Sequence, residues 1–190
     1  MPAKSRREQL IKTAVELFSE RGYHATGIDT ILAAAGVSKK TLYNHFRSKE
    51  ELILAALRHY DGLFRNGFMR QVEAAAASPR ERLLAVFDVS EEWFASDKFY
   101  GCMFINAIGE YSAPDSPIRE VCKEFKRLMR GYLFELASAA GAQDPNALAD
   151  ALALLLEGAT VTAQVSGDRR AAVTAKRIAG SIIDQALEPE

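Results

Sequence analysis

Apolar residues recur at helical spacing along almost the whole of this 190-residue sequence, and the strict alternation typical of strands is nearly absent. The first segment shows the pattern, because Leu10, Ala14, Leu17 and Phe18 stand at positions i, i+4, i+7 and i+8. This spacing puts four apolar side chains on one face of a helix. The sequence therefore predicts an all-α fold.

Helix start and stop signals divide the chain into about nine helices, four of them before residue 78. Serine followed three residues later by glutamate, as at Ser5 and Ser48, is typical of a capping box. A capping residue followed by proline recurs at Ser78, Ser116 and Asp144. Asp168 is expected to cap the last helix. The later helices are predicted over 79–95, 101–112, 117–140, 145–165 and 169–187.

The composition excludes several classes of protein. With 48% hydrophobic residues, a chain of this length buries the core of one or two domains and is not wholly disordered. No apolar run approaches the ~18 residues of a membrane span, and no apolar segment follows the basic N-terminus. We therefore expect neither an integral membrane protein nor a signal peptide. The two cysteines, Cys102 and Cys122, form neither a disulfide framework nor a zinc motif.

Motifs that would indicate an enzyme are also missing from the sequence. It has no Ser/His/Asp arrangement, no Gly-rich phosphate loop and no HExxH motif. Its three histidines are scattered and lie outside any carboxylate-rich cluster. We therefore expect no catalytic residues, no metal site and no cofactor.

The formal net charge of −1 hides an uneven distribution of charge. Residues 1–60 carry 10 Lys and Arg against 6 Asp and Glu, together with all three histidines. Residues 61–190 carry 14 Lys and Arg against 19 Asp and Glu. A basic module on a larger acidic body indicates an anionic partner at one end of the chain.

Residues 28–46 predict two short helices joined by a tight turn at Gly36, a residue that suits the left-handed end of a helix. The inward faces of these helices consist of Ile28, Ile31, Leu32 and Ala35 in the first, and Val37, Leu42 and Phe46 in the second. The outward residues of the second helix are hydrogen-bonding, cationic or aromatic: Ser38, Lys39, Lys40, Thr41, Tyr43, Asn44 and His45. Such a face is typical of a recognition helix that enters the major groove of DNA.

From Leu10 to about Leu57, the chain resembles the tetracycline-repressor (TetR/AcrR) family of bacterial transcription regulators. The segments that carry the resemblance are Ala14–Phe18, Arg21–Tyr23, Ala34–Ser38 and Leu42–Leu52. The resemblance implies a three-helix, helix-turn-helix DNA-binding domain at residues 1–50. It also implies a helical ligand-binding and dimerisation domain at residues 51–190.

The same resemblance implies roles for individual residues. Thr26 is expected to cap the first helix of the motif and to contact a phosphate. The positions that usually grip the DNA backbone correspond to Ser38, Tyr43, His45 and Lys49. The positions that usually read base edges correspond to Lys39, Lys40, Thr41 and Asn44. Lys40 departs from the family, in which a small residue is common, and contacts either a guanine or only a phosphate.

The last two predicted helices carry apolar stripes that suit a dimer seam, although the core of the chain must share some of them. Helix-turn-helix proteins usually bind palindromic sites as dimers, and the resemblance favours a four-helix seam. The predicted interface consists of Leu148, Leu152, Leu155, Ala159, Ala163, Ile178, Ile182 and Ile183.

The middle helices concentrate aromatic and methionine side chains with a few polar groups among them. This mixture is typical of a small-molecule pocket, but an aromatic stripe at helical spacing is also typical of plain core. The candidate pocket residues are Trp93, Phe94, Met103, Phe104, Asn106, Glu110, Phe125, Met129, Tyr132, Thr160 and Gln164.

These observations together predict a cytoplasmic, ligand-responsive repressor that binds a palindromic double-stranded operator as a homodimer. A small-molecule effector of unknown identity is expected to release it, and no membrane partner is expected. One alternative is a DNA-binding regulator that senses nothing. Another is a thiol-based redox sensor that uses Cys102 and Cys122, for which two buried, inert thiols are the simpler interpretation.

Overall fold

The computed structural model describes residues 5–188, and within this range the chain forms nine α-helices and no β-strand. The prediction of an all-α fold is confirmed. The helices are α1 (Arg6–Arg21), α2 (Ile28–Ala35), α3 (Lys39–Tyr43), α4 (Lys49–Ala75), α5 (Pro79–Phe94), α6 (Met103–Glu110), α7 (Pro117–Ala139), α8 (Pro145–Ser166) and α9 (Arg170–Leu187).

Most of the predicted caps begin helices as expected. The Ser78 side chain accepts from the Glu81 backbone N–H while the Glu81 carboxylate accepts from the Ser78 N–H, which is a complete capping box. At Ser48 the box is modified, because the Glu51 carboxylate accepts the backbone N–H of Arg47, one residue earlier.

The predicted cap of the last helix needs a correction. The residue at the N-cap of α9 is Arg169, which makes no side-chain capping bond. Asp168 lies one residue earlier, and its carboxylate still accepts the Arg170 N–H at 2.9 Å. Asp168 therefore supports the first turn without being the N-cap.

The first of two compact units comprises residues up to Leu63 together with Met103–Phe125. Here α1 packs on α2 and α3, and α2 packs on α3. The core of the unit includes Leu10, Phe18, Ile31 and Leu42, all of which are buried. The apolar positions that the helical periodicity selected thus form the centre of this unit.

The second unit comprises Phe64–Cys102 and the chain from Lys126 onward. In this unit α5, α8 and α9 pack against one another around Leu83, Phe87, Leu152 and Ile183. Helices α4 and α7 each begin in the first unit and end in the second, so the compact units do not correspond to a single cut in the sequence. The functional boundary at residue 50 stays a prediction.

Helix α8 corrects the expectation that no segment approaches a membrane span. An 18-residue window of this helix has a mean hydropathy of 1.3, which by length and composition is enough to cross a bilayer. Core helices of soluble proteins pass the same test, and 39% of this window is buried. Only part of the surface of α8 packs on α5 and α9. Apolar residues of α8 therefore also lie outside the face that packs on these two helices.

Candidate nucleic-acid interface

The turn between α2 and α3 has the geometry of a helix-turn-helix. Gly36 ends α2 in the left-handed conformation, with φ of 61° and ψ of 38°, and the Val37 N–H donates to the Leu32 carbonyl at 3.2 Å. Two residues later, the Ser38 hydroxyl accepts the Thr41 N–H at 3.1 Å and so caps α3. The chain therefore leaves one helix and enters the next within three residues.

Most of the predicted inward face of the motif is buried, whereas Ile28 and Val37 are half-buried. Leu42 is fully buried and Phe46 is nearly so, and they lie in the same core as Ile31, Leu32 and Ala35. The interpretation of Phe46 as a core residue is confirmed. This burial fixes which face of α3 is left for a partner.

The outward face of α3 and of the turn that follows it is open to solvent. Helix α3 ends at Tyr43, earlier than predicted, and the next residues form a turn. Within the described part of the chain, Lys39 and Lys40 form no ion pair. Exposed residues of this face are Ser38, Lys39, Lys40, Tyr43, Asn44 and His45, whereas Thr41 and Lys49 are half-buried. The Thr41 hydroxyl shares a hydrogen bond of 2.9 Å with that of Ser38.

The role predicted for Thr26 is wrong. The N-cap of α2 is Gly27, which has no side chain to cap with. The Thr26 side chain is fully buried, and its hydroxyl donates to the carbonyls of Gly22 at 2.7 Å and Leu17 at 3.3 Å. It therefore fastens the end of α1 to the loop before α2 and does not cap α2.

The loop between α1 and α2 is held by the carboxylate of Glu110, at the end of α6. One oxygen accepts the Tyr23 backbone N–H at 2.8 Å, and the other accepts the His24 backbone N–H at 2.5 Å and lies 2.8 Å from His24 Nδ1. Gly22, with φ of 82°, leaves room for this approach, because a Cβ there would lie 2.9 Å from the carboxylate. We call this arrangement the Glu110 clamp.

Two further contacts tie the same loop to α6. The Tyr23 hydroxyl donates to the Met103 carbonyl at 2.9 Å, at the start of α6. The His24 ring stacks on Tyr111, with centroids 4.8 Å apart. The loop that leads into the helix-turn-helix is thus fastened to α6 at both ends of that helix.

Partial burial raises the pKa of Glu110, but the backbone N–H groups of Tyr23 and His24 and the His24 side chain outweigh it and hold the pKa below its ordinary value of 4.5. A carboxylate whose pKa is lowered on folding stabilises the fold above its unfolded pKa. This contribution is lost as the pH falls through the folded value.

Replacing Glu110 by alanine is expected to lower the free energy of unfolding by about 1–3 kcal/mol, because two backbone N–H groups lose their acceptor. Urea unfolding at pH 7 measures this loss, and the difference from the wild type should shrink as the pH falls through the lowered pKa of Glu110, where the wild-type carboxylate becomes protonated. Glu16→Ala is the matched control, since Glu16 is exposed on α1. An E110A variant as stable as E16A would contradict the clamp.

Two family models match this chain. The model described as "Bacterial regulatory proteins, tetR family" matches residues 10–56, which contain α2, α3 and the turn between them. The model described as "Tetracyclin repressor-like, C-terminal domain" matches residues 79–179, just over half of the chain. The chain belongs to the TetR family. Proteins of this family are DNA-binding transcription regulators and not enzymes, as the sequence predicted, and they are generally dimeric.

Named relatives of this TetR-family chain include an activator, FasR, and a repressor, "HTH-type transcriptional repressor KstR2" of Mycolicibacterium smegmatis. It is 32% identical to "Transcriptional regulator AcuR" of Cereibacter sphaeroides over 83% of its own length and 76% of AcuR. It is 44% identical to "HTH-type transcriptional activator FasR" of Mycolicibacterium smegmatis, but over only 51% of its length and 44% of FasR. The chain thus spans less than half of FasR.

Solved structures agree with this assignment. A crystal structure of SCO4454, a TetR-family transcriptional regulator from Streptomyces coelicolor, is similar with a TM-score of 0.85 and 30% identity. The similarity covers 96% of each chain. Both halves of the TetR-family fold are therefore present here.

The candidate pocket residues of this TetR-family regulator fall in both compact units. In the first unit, Phe104 and Phe125 stack with centroids 3.8 Å apart. In the second unit, the ring centroids of Trp93 and Phe94 lie 5.5 Å apart. The first unit holds Met103, Phe104, Asn106, Glu110 and Phe125, and the second holds Trp93, Phe94, Met129, Tyr132, Thr160 and Gln164.

The polar members of this set have different surroundings. The Glu110 carboxylate is engaged in the clamp, and the Thr160 hydroxyl donates to the Leu156 carbonyl of its own helix at 2.8 Å. Gln164 is exposed. Tyr132 differs from all of these, because it is buried and its hydroxyl has no hydrogen-bond partner among the described residues. Its hydroxyl is therefore the polar group with free hydrogen-bonding capacity.

The residues predicted for the dimer seam differ in their exposure within the single chain. Leu148, Leu152, Ala159, Ala163 and Ile183 are buried within the single chain. They belong to its own core and leave little surface for a partner. Of the remaining predicted residues, Leu155 and Ile182 are half-buried, and Ile178 is exposed.

A different stripe of α8 is apolar and exposed. Leu154 and Val165 are 75% and 82% exposed, and Val161, between them, is 40% exposed. Together with the exposed Gly158 they recur at helical spacing, on one face. We call these four residues the outer α8 stripe. Beside it, a groove of about 620 Å³ between α8 and α9 is lined by Leu154, Gly158 and Ile178, among others.

The periodicity of apolar residues did not predict this stripe, because α8 is apolar around most of its circumference. Periodicity selects an apolar face only when the opposite face is polar. The sequence does contain one signal for an exposed stripe: α8 carries two offset apolar stripes, and packing in a single core requires only one.

Proposed function

We propose that this TetR-family chain is a ligand-responsive regulator that binds a palindromic operator as a homodimer and is released by a small-molecule effector. The observation that carries the proposal is the solvent-exposed polar face of α3, held by a buried core on its other side. Lys39, Lys40, Thr41 and Asn44 read base edges, and Ser38, Tyr43, His45 and Lys49 contact the backbone. Repression is the simplest sign, and the site of action is the cytoplasm, where the DNA is.

The outer α8 stripe supports the homodimer. Exposed apolar patches on soluble proteins mark interaction surfaces, and this patch lies on one of the two helices in which the sequence placed the seam. A second copy of the chain would cover Leu154, Val161 and Val165 and fill the groove beside them. In such a dimer two α3 helices lie about 34–36 Å apart, one turn of DNA.

Release by an effector requires a population shift between two dimer geometries. A ligand that prefers a geometry with a different α3 spacing depletes the DNA-binding state. Helix α4 begins directly after the helix-turn-helix and continues into the second unit. It is therefore the element that would transmit effector binding to α3. We place the effector in the second unit, among aromatic residues such as Trp93 and Phe94, with Tyr132 as a hydrogen-bonding group.

Selection of bound DNA from a random library tests the operator and the dimer together. The proposal expects an enriched palindrome with half-sites centred about one helical turn apart. Enrichment of a single, non-repeated site would overturn the homodimeric mode of binding, and no enrichment would overturn specific binding altogether.

The Tyr132 hydroxyl gives a test of the effector site. Burial raises the pKa of Tyr132 to about 12, so the phenol stays neutral at physiological pH. A thermal-shift screen of small aromatic, acyl and cationic compounds identifies an effector as one that raises the Tm and releases DNA. Tyr132→Phe is expected to keep the wild-type stability, because no internal hydrogen bond is lost, and to weaken that effector about tenfold, the equivalent of one hydrogen bond of ~1.4 kcal/mol.

Tyr100→Phe, at an exposed tyrosine, is the matched control. A Tyr132→Phe variant that loses stability but responds normally to the effector would show that the hydroxyl stabilises the fold and does not bind the effector. Compounds that bind without releasing DNA would instead favour the non-sensing alternative. The redox alternative has little support, because Cys102 and Cys122 are both buried and buried thiols are usually inert.

A further inference from the structure

A cleft on the first unit brings together basic side chains beside the end of the recognition helix. It has a volume of about 570 Å³, and its lining includes Arg7 from α1, His45 from the turn after α3, and Arg58 and His59 from α4. None of the roles assigned above uses Arg7, Arg58 or His59.

The two arginines of the cleft carry charge that the protein does not neutralise. Both are exposed, and neither pairs with a carboxylate in the part of the chain that the structure describes. The Arg7 guanidinium lies over the Phe46 ring, 5.3 Å from its centroid, which orients it at the cleft. The carboxylate in the lining, Glu51, already accepts the Arg47 backbone N–H at 2.7 Å.

The position of the cleft indicates what occupies it. His45 and Phe46 follow α3 directly, so the cleft continues the exposed face that we propose reads DNA. Duplex DNA presents one negative charge per ~1.7 Å of its axis, and planar guanidinium groups match the geometry of phosphate oxygens. His59 Nε2 in the cleft wall is buried without a hydrogen-bond partner among the described residues, so polar capacity is left unused there.

We infer that this cleft binds a backbone phosphate of the operator, outside the base pairs that α3 reads, with Arg7 and Arg58 as its ligands. The inference rests on the proposed operator binding. It adds that the footprint extends along the DNA from α3 to α1 and the middle of α4. Such contacts increase affinity and salt dependence for every DNA sequence alike, because a phosphate carries no sequence information.

The salt dependence of DNA binding tests this directly. For the full-length protein on its selected operator, Arg58→Gln is expected to reduce the magnitude of the slope of log K against log salt concentration by about 1.8, because the homodimer loses one phosphate contact of about 0.9 in each half-site, and Arg7→Gln likewise. Arg58→Lys should restore most of the slope, since it keeps the charge. The ratio of specific to nonspecific affinity should stay unchanged.

Arg21→Gln is the matched control, because Arg21 lies at the other end of α1, about 21 Å from Arg7 along the helix. In phosphate-ethylation interference, the wild type should show one outer phosphate in each half-site whose modification blocks binding, and R58Q should lose that interference. Slopes for R58Q and R7Q equal to that of R21Q would overturn the inference while leaving operator binding intact. Failure of the wild type to select any operator would overturn the proposed function instead.

Discussion

A glutamate at Val165 is expected to convert the protein to a monomer and to weaken operator binding by on the order of 100-fold or more. Val165 is 82% exposed in the single chain, so the substitution disturbs no internal packing. In the proposed dimer the same side chain is covered, and a charge buried without a partner is strongly unfavourable. Loss of the second half-site then removes the gain from two linked binding events, which is typically 10²- to 10⁴-fold.

Light scattering of the purified protein measures the oligomeric state, and titration of the selected operator measures affinity. Leu63→Glu is the matched control, since Leu63 is 62% exposed but lies on α4 in the first unit. V165E should be monomeric with an unchanged far-UV spectrum, while L63E stays dimeric. A dimeric V165E with wild-type affinity would show that the outer α8 stripe is not the seam.

Replacing Asn44 by alanine is expected to weaken operator binding by about 1–3 kcal/mol for each half-site, roughly 5- to 150-fold per half-site, and to relax the preference at one base pair of each half-site. Asn44 is exposed at the end of α3, so the Tm should stay at the wild-type value. The loss comes from the bidentate pairing that an asparagine side chain makes with adenine. Binding to each single-base variant of the operator, measured for both proteins, locates the affected pair.

Asn66→Ala provides the control, because Asn66 is also exposed but lies in the middle of α4. An N44A variant that binds every operator variant as the wild type does would remove Asn44 from the base contacts. The same series with Lys40→Ala separates the two roles left open for Lys40. A base contact gives a loss at one base pair, whereas a phosphate contact gives a uniform loss and a shallower salt dependence.

The sequence predicted the helix-turn-helix closely because its signals are local. The left-handed Gly36, the Ser38 cap and the buried positions Leu42 and Phe46 each depend on neighbours within a few residues. The starts of α5 and α8 were predicted correctly for the same reason, since Ser78-Pro79 and Asp144-Pro145 mark starts in the chain itself, whereas α6 has no such signal and is two residues shorter at each end than predicted.

Contacts between residues distant in the sequence could not be read in this way. Nothing around residue 110 indicates that the Glu110 carboxylate binds backbone N–H groups 87 and 86 residues away. Thr26 stands where the sequence predicts a helix cap, but its hydroxyl donates a hydrogen bond to the buried carbonyl of Leu17. On α8, only three-dimensional packing shows which of two apolar stripes faces α5 and α9 and which is left exposed.

In the proposed complex, two α3 helices of one homodimer read two half-sites on the same face of the DNA. Inserting five base pairs between the half-sites of the selected palindrome rotates one of them by about half a turn, since a full turn takes 10–10.5 base pairs. Affinity for this operator is expected to fall to that of a single half-site. Unchanged affinity for the operator with the insertion would contradict this arrangement.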